Sequence, residues 1–269
     1  MPTIYGNDQD NVLQYDNTYE VYGKGGSDSL GGGIMYGGKG DDYFTIDNVA
    51  DQVIEYAGEG TDWAFSWIDS YTLPDHVENL TLETGSSAIT GKGNALNNKI
   101  FGNELNNTLK GKDGHDDLYG KGGNDILLGG NGNDRLIGFG YDGKNEIDTL
   151  VGEGGQDKFQ LWYQSANDKK AAYDDGKLFT NSNGNWYPSP GHTDYALIQQ
   201  FNKSEDKIEL AGSASDYVLG SSPIVGASGT AIYLKTPRLL GNHTKELIGV
   251  IENTASGSLH LNDSCFTYV

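Results

Sequence analysis

The chain has 269 residues and carries 38 acidic against 18 basic side chains, which gives a formal net charge of −20 at pH 7. This balance excludes nucleic acid as a partner, because a phosphate backbone requires a basic surface. The 17 Tyr, 8 Phe and 4 Trp residues exclude a disordered acidic tail, since such tails are poor in aromatic residues.

The N-terminal segment gives no sign of a targeting sequence. Residues 1–10 contain neither a basic stretch nor an apolar core, so we expect no Sec-type signal peptide. No apolar run in the sequence approaches the ~18 residues of a membrane span. Cys265 is the single cysteine, so stability outside the cell would need a source other than disulfides.

Glycine-rich repeats of nine residues begin close to the N-terminus. Their ideal form is G-G-x-G-x-D-x-U-x, in which U is a large apolar residue. A nearly ideal copy starts at Gly37 (GGKGDDYFT), a close variant at Gly23 (GKGGSDSLG) and a degenerate copy at Gly6 (GNDQDNVLQ).

Residues 53–82 depart from the nine-residue spacing (VIEYAGEGTDWAFS, then YTLPDHVENLTL). Within them Trp63, Phe65 and Trp67 alternate with other residues, as side chains on one face of a strand do. We expect these rings to pack in the core or on a sheet face. A platform for stacking sugars is the alternative.

The period is clearest from Gly93 to Phe159. Glycines at 93, 102, 111, 120, 129 and 138 are nine residues apart, and the next glycine that we assign to this series is at 152. We interpret the longer step as a five-residue insertion, Gly138 to Asp142, before a repeat that starts at Gly143. The copies from Gly93 onward read GNALNNKIF, GNELNNTLK, GKDGHDDLY, GKGGNDILL, GGNGNDRLI, GKNEIDTLV and GEGGQDKFQ.

Two positions of this pattern are kept in all ten copies. Position eight is always apolar: Leu13, Leu30, Phe44, Ile100, Leu109, Leu118, Leu127, Leu136, Leu150 and Phe159. Position six is Asp in seven copies and Asn in three: Asp28, Asp42, Asp116, Asp125, Asp134, Asp148 and Asp157, with Asn11, Asn98 and Asn107. A disordered glycine-rich linker would keep neither position.

A nine-residue period has a direct structural meaning. Six glycine-rich residues form a turn, and three form a short strand with one inward side chain. Two repeats complete a coil, and coils stack ~4.8 Å apart. Position-six carboxylates would then repel each other by roughly 3 kcal/mol per pair at an effective dielectric constant of 20. A hard divalent ion between the turns removes this repulsion, and all-oxygen ligands favour Ca²⁺ over zinc or magnesium.

These repeats, GGNGNDRLI above all, resemble the RTX (repeats-in-toxin), or hemolysin-type calcium-binding, family. The resemblance implies an all-β fold, a right-handed parallel β-roll (a calcium-binding β-solenoid) with a β-rich C-terminal cap. It also implies that several Ca²⁺ ions are held by the position-six Asp side chains and by carbonyl groups of the first four turn residues.

The resemblance assigns ligands by register. Asp134 shares one ion with Asp116 and another with Asp157, and Asp125 shares one with Asp148 on the opposite side. The implied carbonyl ligands are Gly120, Gly122, Gly123, Gly129, Gly130 and Gly132. In the N-terminal block, which looks like a long β-roll variant, Asp42 faces Asp62 and Asp28 pairs with Asp51. The Asn copies form neutral ladders that stabilise the turns, with weak or absent ions.

The C-terminal stretch also resembles the family. Residues 195–210 (YALIQQFNKSEDKIEL) look like the segment that follows the roll in RTX proteases, and they predict strand, turn, strand. Residues 231–234, 246–251 and 259–269 predict further strands that cover the apolar end of the solenoid. Residues 266–269 resemble an uncleaved signal for type I secretion, with a last cap strand as the alternative.

No catalytic motif is present. None of the five histidines stands in H-E-x-x-H, and no G-x-S-x-G occurs. We expect His115 to be a solvated turn residue rather than a ligand. Asp174 and Asp175 predict a polar loop rather than a further metal site. Residues 179–192 predict an exposed loop, with partner binding as the alternative.

Together these features predict three domains: an N-terminal roll block (1–90), the main roll (91–162) and a capping and secretion-signal domain (163–269). The function expected is that of a non-enzymatic, secreted calcium-binding protein whose folding is driven by calcium, with a structural or adhesive role. Expected partners besides calcium are an extracellular polysaccharide or surface protein, or further copies of the chain. Two alternatives stay open: an enzyme, for example a carbohydrate-active one, on a solenoid face, and a toxin-like or regulatory binding module.

Overall fold

The computed structural model describes residues 1–139, 146–164, 169–171, 178–180, 186–188, 195–237, 243–255 and 257–269. In these ranges the regular structure is β-strand apart from one 3-10 turn at Ala214–Asp216. No helix in the described ranges has the length and apolar character needed to span a membrane.

The strands are short and follow one another closely along the chain. The first ten are β1 (Thr3–Tyr5), β2 (Val12–Gln14), β3 (Glu20–Gly25), β4 (Ser29–Gly31), β5 (Ile34–Lys39), β6 (Tyr43–Ile46), β7 (Gln52–Ile54), β8 (Trp63–Ser66), β9 (Ser70–Thr72) and β10 (Asn79–Leu82). The next eight are β11 (Thr90–Lys92), β12 (Lys99–Phe101), β13 (Thr108–Asp113), β14 (Asp117–Lys121), β15 (Ile126–Asn131), β16 (Arg135–Phe139), β17 (Ile147–Gly154) and β18 (Lys158–Gln160). The last ten are β19 (Trp162–Gln164), β20 (Lys169–Ala171), β21 (Leu178–Thr180), β22 (Trp186–Pro188), β23 (Tyr195–Gln199), β24 (Lys207–Leu210), β25 (Tyr217–Ser221), β26 (Gly229–Pro237), β27 (His243–Glu252) and β28 (Phe266–Tyr268).

Alternate strands pair in parallel, as a β-roll requires. One sheet of the described chain has the order β2-β4-β6-β8-β10-β12-β14-β16-β18-β24-β28, and each of its pairs is parallel. The opposite side is divided into a sheet β1-β3-β5-β7 and a sheet β25-β26-β27-β23-β17-β15-β13-β11-β9. The fold is therefore the predicted parallel β-roll, closed at one end by the antiparallel strands β25–β27.

The apolar column forms the core. Nine of the ten position-eight residues are fully buried, and Leu13, in the first coil, is only partly buried. Each strand offers a single inward apolar residue because neighbouring side chains alternate between faces. In β8, for example, Ala64 and Ser66 face inward while Trp63 and Phe65 lie on the outer face. Stacking alone thus builds a continuous core, which extends from Val21 to Phe266.

The insertion near residue 140 lies at a different point from the one expected. Lys121 pairs with Phe139, which places Gly138 directly beyond Gly120 as the first glycine of the turn. A Cβ on Gly138 would contact Asp148, the position-six residue of the same turn. The extra residues thus fall inside the turn, between positions one and six, where a longer loop leaves strand pairing undisturbed. Gly143 itself lies outside the described residues.

The C-terminal strands continue the roll before they cap it. Residues 195–210 form β23 and β24, which join different sheets and so make one more coil. Residues 231–234 and 246–251 lie within β26 and β27, whereas only Phe266–Tyr268 of the stretch 259–269 is a strand. The predicted domain boundaries lie at residues 90 and 162, and the eleven-stranded sheet continues across both of them. The division into three domains remains a prediction.

Candidate metal centre

One edge of the roll carries a column of polar side chains, which we call the first column. Each member precedes a strand of the eleven-stranded sheet, because position six stands just before the three-residue strand. Its members are Asn11, Asp28, Asp42, Asp62, Glu78, Asn98, Asp116, Asp134, Asp157 and Asp206. In eight of the nine steps the backbone N–H of one member donates to a side-chain oxygen of the next, over 2.6–3.1 Å.

The opposite edge carries a shorter second column, made of Asn107, Asp125 and Asp148. The N–H of Asn107 donates to Asp125 Oδ1 over 2.7 Å, and that of Asp125 donates to Asp148 Oδ1 over 2.9 Å. In both columns, one carboxylate oxygen is therefore consumed in tying a coil to its neighbour.

The second oxygen of these aspartates is buried without a hydrogen-bond partner. This holds for Oδ2 of six repeat residues: Asp28, Asp42, Asp116, Asp125, Asp134 and Asp157. Buried polar oxygens without partners are costly, so such a regular set needs an explanation. A cation that the oxygens coordinate would supply the missing partner.

The space in front of these oxygens exists because position one is glycine. A Cβ on Gly129 would contact Asp134 Oδ2 and would lie 2.8 Å from the carbonyl oxygen of Gly152 in the next coil. The same arrangement repeats at Gly111, where Asp116 Oδ2 and the carbonyl of Gly129 converge. Carboxylate and carbonyl oxygens are the ligands that Ca²⁺ prefers, and the polar atoms nearest to both spaces are such oxygens. The residues present therefore fit calcium.

The electrostatics of the columns favour a cation as well. Burial, reinforced by Asp148, raises the pKa of Asp125 to about 9. Burial likewise raises the pKa of Asp116 to about 7 and that of Asp134 to about 6. For Asp116 the rise corresponds to about 4 kcal/mol of disfavoured ionisation. Stacked coils without a cation therefore hold protonated or strongly destabilised carboxylates at neutral pH.

The structure brings together most of the predicted pairs. Asp116 lies next to Asp134, Asp134 next to Asp157, and Asp42 next to Asp62 in the first column. Asp125 and Asp148 are neighbours in the second column, on the opposite edge. Whether ions lie between these pairs remains a prediction.

The pairing expected for Asp28 differs from the structure. Its N–H donates to Asp42 Oδ1, so Asp42 is its neighbour in the column. Asp51 instead caps its own turn, where Oδ2 accepts the N–H groups of Asp47 and Asn48. The reason is that Asp51 precedes β7, which belongs to the four-stranded sheet, whereas the column precedes strands of the eleven-stranded sheet.

The predicted carbonyl ligands lie in two turns. Gly129 projects its oxygen into the space at Gly111, and Gly120 does so at Gly102, where the position-six residue is Asn107. Gly123, Gly130 and Gly132 have positive φ angles of 101°, 115° and 132°, which explains glycine there. Gly122 lies beside Glu104 in the preceding coil.

The asparagine coils use amide groups where the other coils have unpartnered oxygens. Asn98 Nδ2 donates to the carbonyl of Glu78 over 3.1 Å, and Asn107 Nδ2 donates to that of Ala88 over 3.3 Å. Position two repeats this scheme, because Asn94 Nδ2 donates to Val77 O over 2.7 Å. These internal hydrogen bonds are the ones a neutral ladder requires; weak or absent ion binding at these coils remains a prediction.

Several residues of the columns were not predicted from the sequence. Glu78 replaces an aspartate and accepts the N–H of Asp62, and Asp206 extends the first column into the coil of β24. Asp206 stands two residues before the buried Ile208, which is the spacing of positions six and eight and could have identified it. Glu55, which lies outside the columns but places a carboxylate oxygen within 4.8 Å of those of Asp42 and Asp62, has no such signal, because it stands outside any nine-residue repeat.

The other residues considered in the sequence have structural roles where they are described. His115 is exposed, and its Nδ1 accepts the N–H of Asn133 over 2.7 Å. Asp174 and Asp175 lie outside the described residues. Of residues 179–192, the described part is Phe179–Thr180 and Trp186–Pro188, which belong to the antiparallel pair β21–β22.

The stacked coils and their oxygen-lined turns define a calcium-binding β-roll. Residues 93–138 match the family model of the RTX calcium-binding nonapeptide repeat in four copies, so this part of the chain consists of RTX repeats, which bind Ca²⁺. The chain is 40% identical over 87 residues to the endo-1,3-1,4-beta-glycanase ExsH of Rhizobium meliloti (strain 1021). That match covers 30% of this chain and 18% of the glycanase.

Among solved structures, the chain is similar to the solution structure of the AlgE6R3 subunit from the Azotobacter vinelandii mannuronan C5-epimerase. The likeness covers 64% of this chain and 78% of that one, with 21% sequence identity and a TM-score of 0.22. A TM-score this low does not establish a shared arrangement of the coils.

Proposed function

We propose that this chain is a secreted, non-enzymatic calcium-binding protein that folds when calcium fills its turns and then serves a structural or adhesive role at a cell surface or in extracellular matrix. The observation that carries the proposal is the row of six buried aspartate oxygens without partners. A fold that depended on protein contacts alone would not repeat this cost in coil after coil.

Metal-coupled folding follows from the same geometry. Where calcium is scarce, the acidic chain gains little by stacking carboxylates that remain charged. Where calcium is plentiful, ligation contributes directly to folding, because an ion that binds only the folded chain stabilises it by mass action. This supports a location outside the cell, where calcium is abundant and where a chain without internal disulfides needs another source of stability.

The non-enzymatic part of the proposal rests on the described surface. A shallow pocket of about 360 Å³ does combine Lys110, Lys112, Asp113 and Glu153. Lys112, Asp113 and Glu153 belong to the repeat turns, however, and a catalytic carboxylate pair would compete there with ion binding. The glycanase activity in the name of ExsH belongs to a protein of which this chain matches 18%, and an RTX repeat segment is not itself catalytic.

The aromatic residues on the outer sheet face support a cohesive role. The rings of Trp63 and Phe101 stack 6.0 Å apart, and those of Phe101 and Tyr119 stack 4.5 Å apart. Trp63 also stacks on Phe65 at 6.1 Å. Because neighbouring rings cover one another's faces, they stabilise the stack of coils and leave little area for a sugar ring. A polysaccharide or surface-protein partner would have to bind elsewhere on the roll.

Circular dichroism of the full chain with calcium and with EGTA tests this function. We expect strand content and a cooperative thermal transition in calcium, and loss of both in EGTA that calcium restores. Metal analysis of the folded protein should find several calcium ions per chain. Unchanged strand content and melting temperature in EGTA, with no bound metal, would refute the proposal.

A further inference from the structure

Glu55 occupies a place that the other coils give to glycine. Strands β3, β5 and β7 pair in parallel with Tyr22, Tyr36 and Ile54 in register. The residues that follow are Gly23, Gly37 and Glu55. Gly23 and Gly37 are position-one glycines that leave space in front of an aspartate oxygen. The next coil therefore places a carboxylate side chain where its neighbours have none.

The side chain of Glu55 points into the space at Gly37. A Cβ on Gly37 would contact both Glu55 Oε1 and Asp42 Oδ2. At Gly23 and Gly111 the corresponding contacts are an aspartate Oδ2 and a carbonyl oxygen of the next coil. Glu55 thus replaces a neutral carbonyl ligand with a charged one. Glu55 is buried, with only 5% of its surface exposed. Neither of its carboxylate oxygens has a hydrogen-bond partner.

Three carboxylates converge at this point. Asp42, Glu55 and Asp62 each offer an oxygen, and these oxygens lie within 4.8 Å of one another. Among the described residues this is the one group of three or more acidic, histidine or cysteine side chains that is close enough to hold a single ion. No Lys, Arg or His forms an ion pair with any of the three in the described chain.

We propose that Asp42, Glu55 and Asp62 form a three-carboxylate cation site that binds calcium more tightly than the two-carboxylate sites of the repeats. The inference rests on the proposed function, because it assumes that the neighbouring turns also take calcium. Calcium affinity rises with the number of charged ligands, so the third carboxylate strengthens binding by about tenfold or more. The same charge favours a trivalent lanthanide such as Tb³⁺ still further.

The three-carboxylate site lies where the sheet on one side of the roll is interrupted. The four-stranded sheet ends at β7, and β9 starts the next sheet on that side, so the backbone ladder is interrupted there. Asp42 lies in the turn before β6, while Glu55 and Asp62 flank the turn between β7 and β8. An ion held by all three joins consecutive coils beside the interruption, where hydrogen bonding between strands is missing on one face.

The test compares Glu55→Gln with a matched control, Glu83→Gln, in the full chain. Glu83 contacts Ser66 and Ser86 through its backbone, so its substitution removes the same charge from the N-terminal block without touching the cluster. Calcium titration by calorimetry and Tb³⁺ luminescence sensitised by Trp63, the residue after Asp62, give the number and affinity of the ions.

Wild-type protein and E83Q should each show one ion bound about tenfold or more tightly than the rest. E55Q should lose that tight phase and keep the weaker ones. In EGTA, E55Q should retain at least as much strand content as wild type, because it removes a buried charge. A purely structural role for Glu55 would instead reduce strand content at saturating calcium and leave the tight phase unchanged.

Two outcomes overturn the inference. One is a calcium titration of the wild-type protein that shows a single class of equal sites. This outcome is measured without any variant, so it does not depend on whether E55Q folds. The other is an E55Q protein whose tight phase is unchanged. Both differ from failure of the proposed function, in which the wild-type chain neither binds calcium nor changes its strand content when calcium is added.

Discussion

Replacing Asp134 by asparagine should have opposite effects on the calcium-bound and calcium-free forms. Asp134 lies in the middle of the main roll, between Asp116 and Asp157 in the first column. Its Oδ1 accepts the N–H of Asp116 over 2.8 Å, and an asparagine side chain at this position would keep this acceptor. Its Oδ2 is buried and unpartnered, and the substitution would turn it into a neutral amide nitrogen.

The magnitudes follow from charge and burial. Without calcium, the substitution removes a carboxylate whose pKa is raised to about 6 by burial, which relieves about 3 kcal/mol at pH 8. With calcium, two adjacent ions each lose one charged ligand. A tenfold loss of affinity at each is about 1.4 kcal/mol per ion, or about 3 kcal/mol for the pair.

The assay is calcium-induced folding followed by circular dichroism, with urea unfolding at saturating calcium. We expect D134N to require more calcium at the folding midpoint and to unfold at lower urea in calcium, yet to show equal or greater strand content in EGTA. Asp113→Asn is the control, because Asp113 is exposed and its Oδ1 accepts a hydrogen bond from Asn131. An unchanged calcium concentration at the folding midpoint of D134N would refute the reasoning, because Asp134 would then not be a ligand.

Three further predictions concern the same turns. Asn107→Asp should lower the free energy of unfolding in urea by about 1–3 kcal/mol, because it replaces an amide that donates to the carbonyl of Ala88 by a carboxylate. Metal analysis should find no additional ion in this variant, and an extra bound ion would contradict the prediction. Gly129→Ala should weaken calcium binding in calorimetry by about tenfold or more, because its Cβ would contact Asp134 Oδ2. Gly129 is not among the residues with a positive φ, so a change in affinity would report the lost space and not left-handed backbone strain. In EGTA, strand content should rise as pH falls from about 8 to about 5, because the buried aspartates have folded-state pKa values above the unfolded 3.8. The stabilisation that protonated aspartates give the calcium-free form is complete below about pH 4. It is lost as the pH rises through their folded-state pKa, which is about 7 for Asp42, Asp62 and Asp116. Unchanged strand content between pH 8 and pH 5 would contradict the assignment of these aspartates to buried positions in stacked coils.

The main roll was predictable because its information is local. The apolar residue at position eight and the Asp or Asn at position six recur in each copy, and both end up buried as the nine-residue period requires. Glycine at position one predicted a close approach, and the structure shows it between Gly129, Asp134 and the next coil. The same reasoning identified neutral ladders at Asn98 and Asn107, since an amide cannot replace a charged ligand but can donate hydrogen bonds.

Prediction was weaker wherever the coil length varied. A period cannot say where in a turn an insertion lies, and the structure moved the first glycine of that turn from Gly143 to Gly138. It also cannot say which strand of a longer coil joins which sheet. Asp51 therefore seemed a partner for Asp28, although the sheet order places Asp42 there.

By itself the sequence predicted the class of fold, the cation, and the recurring residues at positions six and eight of the repeat, because a constant spacing turns neighbours in sequence into neighbours in space. Only the tertiary structure decided which side chains meet across coils of unequal length. Glu55 is the clearest case, because it stands outside any repeat and reaches Asp42 and Asp62 only when β7 pairs with β5. That contact depends on strand register, which no local pattern around Glu55 contains.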